Sequence, residues 1–171
     1  DLHLPADDRE FDYFCVKEAV MPFGRFPGSD VVLGPEMKST GEVMGIAGNF
    51  PAAFTKTQLA IDYEPPRGGE VFISVNDGDK RNITAIARSI ARLGFSLVAT
   101  TGTARALRAS GIECEEVGKI HAGSHTILDR IASGEIVLMI NTPFGSSTNT
   151  DGYEMRAACV RHGVSYCTTL A

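Results

Sequence analysis

The chain has 171 residues, 43% of them hydrophobic and 22% charged, with a formal net charge of −5. Such a composition describes a globular chain with a core of its own and excludes a disordered tail. Charges of both signs are interspersed, which excludes an extended nucleic-acid surface, and no apolar run approaches the roughly eighteen residues of a membrane span.

The opening segment, Asp1-Leu-His-Leu-Pro-Ala-Asp-Asp-Arg-Glu10, has neither the basic start nor the apolar centre of a signal peptide. It also lacks an initiator Met, so the sequence is expected to be part of a longer chain. Cys15, Cys114, Cys159 and Cys167 form no Cys-x-x-Cys pair and sit among apolar neighbours. They are expected to be buried, reduced thiols of a cytoplasmic protein.

Phe11 to Val20 reads as a strand, after which Pro22, Pro27, Gly28, Gly34 and Pro35 break up the pattern. Asn49 to Tyr63 reads as a helix with Pro51 in its first turn and Ala53, Phe54, Leu59 and Ile61 available for burial. One strand and one helix cannot close a core, so residues 1–64 are expected to be the remnant of a larger domain. Glu64-Pro-Pro-Arg-Gly-Gly69 marks the boundary, and residues 65–171 form a second domain.

This second part alternates short apolar runs with amphipathic segments. Val71 to Val75 is a strand, Ile83, Ile86, Ile90 and Leu93 form one helical stripe, and Phe95 to Ala99 is a strand again. Thr103 to Ser110 is a helix closed by Gly111, Cys114 to Val117 a weak strand, and Thr126 to Ala132 a helix closed by Gly134. Ile136 to Ile140 is the most apolar strand and is expected at the centre. Asp151 to Arg161 and Val164 to Thr168 give the last helix and strand. The alternation implies an α/β fold: a mostly parallel sheet with helices on both faces, binding its ligand at the carboxyl ends of the strands.

Those ends carry a consistent set of polar residues. Ser74 to Lys80, Thr100-Thr-Gly-Thr103, Lys119 and Asn141-Thr142 all fall on one rim. Small, hydroxyl-bearing turns let the backbone approach an oxyanion, ammonium groups neutralise it, and Asn141 can hydrogen-bond a base or a sugar. The competing reading makes Thr100 to Thr103 a plain helix cap and Lys80 a solvated surface residue. No GxxxxGK[ST] or GxGxxG sequence is present, and Ser124, His125 and Asp129 lack a nucleophile elbow. A small phosphorylated ligand fits this rim better than a triphosphate or a dinucleotide.

Two sets of motifs resemble the C-terminal end of the carbamoyl-phosphate synthase large subunit. Val16-Lys-Glu-Ala-Val-Met-Pro-Phe23, Phe26-Pro-Gly28 and Leu33-Gly-Pro-Glu-Met-Lys-Ser-Thr-Gly-Glu-Val-Met-Gly45 look like the close of its second ATP-grasp unit. Gly78-Asp-Lys80, Ala99 to Ala104, Gly118-Lys-Ile-His-Ala-Gly123, Asp129-Arg-Ile131, Ile140-Asn-Thr142 and Thr168-Thr-Leu170 resemble the methylglyoxal-synthase-like domain that follows it. The resemblance implies a Rossmann-type, five-stranded regulatory domain behind an incomplete ATP-grasp tail. It implies UMP as inhibitor and IMP as activator, on Ser74, Lys80, Thr100, Thr103, Lys119, Asn141 and Thr142. Ornithine, a second activator, carries over onto Glu18, Tyr166 and Thr168.

For the whole enzyme the resemblance implies ATP, Mg and K as cofactors, a small glutaminase subunit as partner, and oligomerisation through this domain. Its product is carbamoyl phosphate, made for arginine and pyrimidine biosynthesis. Residues 1–171 themselves are expected to hold no catalytic group, metal or cofactor. Pro143 and Cys167 depart from the family pattern, and the loop Phe144 to Thr150 is uncharged where relatives carry Arg. The alternative activity is methylglyoxal synthase chemistry, which requires a carboxylate base. Ser124 stands at that position, so catalysis is not expected. A purely structural oligomerisation domain is the remaining alternative.

Overall fold

A computed structural model of the chain describes residues 11–21, 41–61, 63–118, 126–142 and 150–170. These divide into two compact units, 11–21 with 41–61 and 63–65, and 66–118 with 126–142 and 150–170. Among the described residues no helix is long and apolar enough to cross a membrane.

The first unit is an antiparallel pair, β1 (Phe14–Val20) and β2 (Gly41–Ala47), with the helix α1 (Phe50–Ala60) against it. Asn49 caps α1 by accepting a hydrogen bond from the Ala52 amide at 2.9 Å, which fixes the start of the helix. The sequence reading misses β2 for a physical reason. Its inward positions are Val43, Gly45 and Ala47, whereas Met44 and Ile46 point outward and are exposed. The apolar alternation that betrays a strand therefore runs on the wrong face.

Gly45 also decides which face of α1 is buried. A Cβ there would stand 2.1 Å from the Ala53 carbonyl oxygen, so helix and strand touch through backbone and only small side chains fit between them. Ala53 and Thr57 fill that contact. Phe54 and Leu59, expected in the core, are exposed instead.

The second unit is built on a five-stranded, wholly parallel sheet ordered β5-β4-β3-β6-β7. Its strands are β3 (Glu70–Ser74), β4 (Ser96–Thr100), β5 (Glu115–Val117), β6 (Ile136–Asn141) and β7 (Ser165–Cys167). The helices α2 (Ile83–Arg92), α3 (Thr101–Ala109), α4 (Ile127–Ser133) and α5 (Thr150–His162) alternate with them. The middle strand is β3, not the more apolar β6. The chain steps outward from β3 to β4 and β5, then crosses back to lay β6 on the other side of β3. β6 is still an interior strand, which is why its sequence is almost continuously apolar.

Strand alternation sorts the core into two layers. Val71 and Ile73 join Leu97, Ala99 and Ile140 beneath Ile83 and Ala87 of α2 and Ala104 and Leu107 of α3. Phe72, Val98 and Met139 pack on the opposite face with Ile127 and Ile131 of α4 and Met155 and Cys159 of α5. Leu93, part of the α2 stripe by its spacing, lies past the end of that helix and is 73% exposed. Of the cysteines expected to be buried, Cys159 is and Cys114 is half-buried, whereas Cys15 and Cys167 are exposed. Cys15 sits on the face of β1 away from α1, and Cys167 ends the edge strand β7.

At the amino ends of the strands Arg130 gathers three carboxylates. Its guanidinium lies 2.7 Å from Glu115, 3.3 Å from Glu70 and 3.8 Å from Glu135. Burial works to lower its pKa, but the hydrogen bond to Glu115 and the charges of Glu70, Glu115 and Glu135 outweigh it and raise the group above its ordinary value. Arg130 thus ties α4 to β3, to the edge strand β5 and to the start of β6.

Two outcomes follow from this packing. Arg130→Ala leaves Glu70 inward-facing beside other carboxylates, and chemical denaturation should show a loss of about 2–4 kcal/mol, moderated by the exposure of Glu115. Burial pushes the Cys159 thiol up from 9.0 to about 12. The folded state therefore disfavours the thiolate, and the resulting stability is complete below pH 9 and fades as pH rises toward 12. Denaturation curves across that window should fall less steeply for Cys159→Ala than for the wild type.

Candidate anion-binding site

The crevice of an open parallel sheet forms where strand order reverses, at the carboxyl ends. Here that place is the junction of β3 and β6, where Ser74 pairs with Asn141. The Ser74 carbonyl accepts from the Thr142 amide at 3.1 Å and from Asn141 Nδ2 at 3.3 Å. A cavity of about 360 Å³ opens above it. Ser74, Thr100, Thr101, Gly102, Asn141 and Asp151 supply its polar wall, and Phe72, Val117, Ile127 and Met155 its apolar one.

α3 begins directly from β4, two residues earlier than the sequence pattern suggests, so Thr101 and Gly102 belong to its first turn. Thr100 holds the cap position, yet its side chain makes no cap hydrogen bond. Its hydroxyl lies instead 3.3 Å from Ser74 Oγ and 3.4 Å from Thr103 Oγ1. The helix therefore opens its first turn toward the cavity without the side-chain acceptor that normally satisfies those N–H groups.

Lys80 reaches this turn from the loop after β3. A Cβ at Gly102 would meet Lys80 Nζ at 3.1 Å, so the ammonium rests over the helix start because residue 102 has no side chain. Lys80 is also paired with Asp77 at 2.5 Å, an exposed carboxylate. A helix N-terminus and a cation over one bare glycine are the features that suit an anion, and an exposed ion pair such as that of Lys80 with Asp77 contributes little to stability.

Four of the residues expected at the nucleotide site, Ser74, Thr100, Asn141 and Lys80, meet around this opening. Thr103 and Thr142, expected at the same site, are buried, and their hydroxyls hold the loop after β3. Thr103 Oγ1 accepts from the Val75 amide at 3.2 Å, and Thr142 Oγ1 accepts from the amide and the side chain of Asn76, both at 3.0 Å. Lys119, Ser124, Pro143 and the loop after it lie outside the described residues.

Of the residues expected to take ornithine, Glu18 belongs to the first unit, where Oε2 accepts hydrogen bonds from Thr57 Oγ1 at 2.7 Å and from Gln58 Nε2. In the second unit Tyr166 packs against the α4–α5 layer. Thr168 lines a separate cavity of about 850 Å³ with Thr142, Asn76 and Arg81. Sequence reasoning misses Arg156, which is 4% exposed and donates to Asn141 Oδ1 at 3.0 Å. In sequence it is one charge within a helix, and nothing marks that it faces inward.

Residues 82–168 match the protein family described as MGS-like domain. The chain belongs to the MGS-like domain family. It is 50% identical over 165 residues to the carbamoyl phosphate synthase large chain of Myxococcus xanthus, covering 96% of this chain and 15% of that one. It is 52% identical over 172 aligned positions to the carbamoyl phosphate synthase large chain, C-terminal section, of Methanopyrus kandleri, and 45% identical over 172 to that of Aquifex aeolicus. The chain spans 32% of the length of each of these two sections. Similarity to the large chain thus extends beyond the MGS-like domain into the first unit.

The MGS-like rim depends on Thr103 for its shape. Thr103→Val removes the acceptor of the buried Val75 amide and should cost about 1–3 kcal/mol in a denaturation experiment.

Proposed function

We propose that this chain is the regulatory end of a carbamoyl phosphate synthase large chain, and that its MGS-like domain binds the nucleoside monophosphates UMP and IMP in one site. The observation that carries this reading is the uncapped first turn of α3 beneath Lys80. It offers N–H groups, a partial positive charge and an ammonium to one phosphate. The cavity beside it has an apolar wall for a base and Asn141 for its polar edge or the ribose.

In this proposal the phosphate displaces Asp77 from Lys80, Lys119 completes the cation set, and the Ser74 and Thr100 hydroxyls contact the ligand. Thr103 and Thr142 contribute by fixing the loop that carries Lys80. The proposal extends to ornithine as a second effector, with the Glu18 carboxylate, already oriented by Thr57 and Gln58, suited to an amino group. The large chain would supply the ligase chemistry with ATP, Mg and K, drawing ammonia from a glutaminase subunit. Each effector would act through its difference in affinity for two states of that enzyme, UMP as inhibitor and IMP and ornithine as activators.

Calorimetric titration of the chain with UMP, with IMP and with inorganic phosphate tests the site. UMP and IMP should compete, and Lys80→Ala should weaken both about tenfold, as expected for one lost charge-assisted contact. Gly102→Ala should leave stability unchanged or slightly higher, because the helix gains a better former, yet weaken both ligands several-fold by pushing the ammonium aside. The absence of heat with either nucleotide would remove the proposal. Methylglyoxal released from dihydroxyacetone phosphate would favour an enzyme instead.

A further inference from the structure

Arg156 carries a full charge at a position that is 4% exposed. Burying a guanidinium is costly unless its donors are met by good acceptors, and one of those acceptors belongs to a residue that lines the cavity. Arg156 Nη1 donates to Asn141 Oδ1 at 3.0 Å. The other end of the same amide donates from Nδ2 to the Ser74 carbonyl at 3.3 Å. The amide of Asn141 is therefore held from both ends, and its orientation is set by chemistry: a guanidinium can only donate, and a main-chain carbonyl can only accept.

This arrangement decides what Asn141 can offer a ligand. With one Nδ2 hydrogen on Ser74, the second remains for the cavity. The oxygen, already on a cation, is the poorer group to share. Asn141 so held is a hydrogen-bond donor, and its partner on a ligand is an acceptor, such as a base carbonyl or a ribose oxygen.

We infer that Arg156 is a positioning residue, which fixes the Asn141 amide as a donor into the cavity and so selects for the nucleoside part of the ligand and not for its phosphate. The ligand half of this inference rests on the nucleotide reading above; the orientation of the amide does not. The effect is local because the two ends of the cavity are held by different elements. Lys80 and α3 present themselves to the phosphate without Arg156, and α5 and β6 hold Asn141 without Lys80.

Titrating the chain with UMP and with inorganic phosphate as separate probes distinguishes this role from general loss of structure. Arg156→Met should weaken UMP about tenfold, a loss typical of one hydrogen bond to a charged group, with phosphate affinity unchanged. Asn141→Ala should weaken UMP by the same factor, and the double variant should lose no more than either alone. Equal weakening of both probes, or losses that add, would overturn the inference.

A readout free of ligand accompanies it. Asn141 Nδ2 and the Thr142 amide both donate to the Ser74 carbonyl, so their protons should show a mutual NMR contact in the wild type. That contact and the UMP affinity should both decline in the order wild type, Arg156→Lys, Arg156→Met. Should Arg156→Met not fold, the comparison of wild type with Arg156→Lys decides. If the wild type binds neither probe, the nucleotide reading fails alone. The NMR contact then judges Arg156: its loss in Arg156→Lys supports the positioning role and its persistence overturns it.

Discussion

The Ser74 carbonyl oxygen takes hydrogen bonds from two successive residues, the main chain of Thr142 at 3.1 Å and the side chain of Asn141 at 3.3 Å. The first continues the ladder between β3 and β6 past its last pair. The second anchors the Asn141 amide at the place where the sheet changes direction. From this point the loop after β3 is held to both neighbours, through Val75 on Thr103 and through Asn76 on Thr142. A segment pinned on both sides brings Lys80 back over the start of α3. The site is thus a consequence of how the middle strand ends.

Electrostatics divide the sheet into two ends with different tasks. At the amino ends of the strands Arg130 is enclosed by Glu70, Glu115 and Glu135, so its charge is answered within the fold. At the carboxyl ends Lys80 has a partner, Asp77, that stands mostly in water. An ion pair of that kind contributes little to stability and exchanges easily. The first arrangement locks elements together, and the second keeps a cation available without leaving it unpaired.

Much of this is legible in the sequence where packing and periodicity agree. The three interior strands of the second unit, β4, β3 and β6, are mostly apolar because both faces of the sheet are covered there, and the helix stripes face one layer or the other. The rim can be read from strand ends alone, since a parallel sheet places them all on one side. Failures arise where three-dimensional contact overrules local pattern. β2 escapes notice because a glycine holds its innermost position, and β6 reads as the middle strand because apolar content reports only that a strand is interior. The hydrogen bonds that Thr103 and Thr142 accept from the loop after β3 leave no trace in the sequence, since each joins residues far apart in the chain. Arg156 is invisible, because no sequence pattern separates a buried arginine from the solvated ones around it.

A regulatory domain requires a site that an effector can occupy and a connection that reports its presence. Under the proposed function the two requirements meet in the segment from Val75 to Asn82, which links the anion site to the first helix of the sheet. Its fixed points are hydrogen bonds to buried threonines, each contributing about 1 kcal/mol, and its ligand-facing point is an exposed ion pair. An effector drawn to Lys80 therefore acts on an element whose internal ties are comparable in strength to the contacts it forms. An effector that engages Asn141 acts on β6 and, through Arg156, on α5. Two ligands that share the phosphate contact but differ in their demand on Asn141 would pull on different helices, which is one physical route by which a single cavity could return opposite signals.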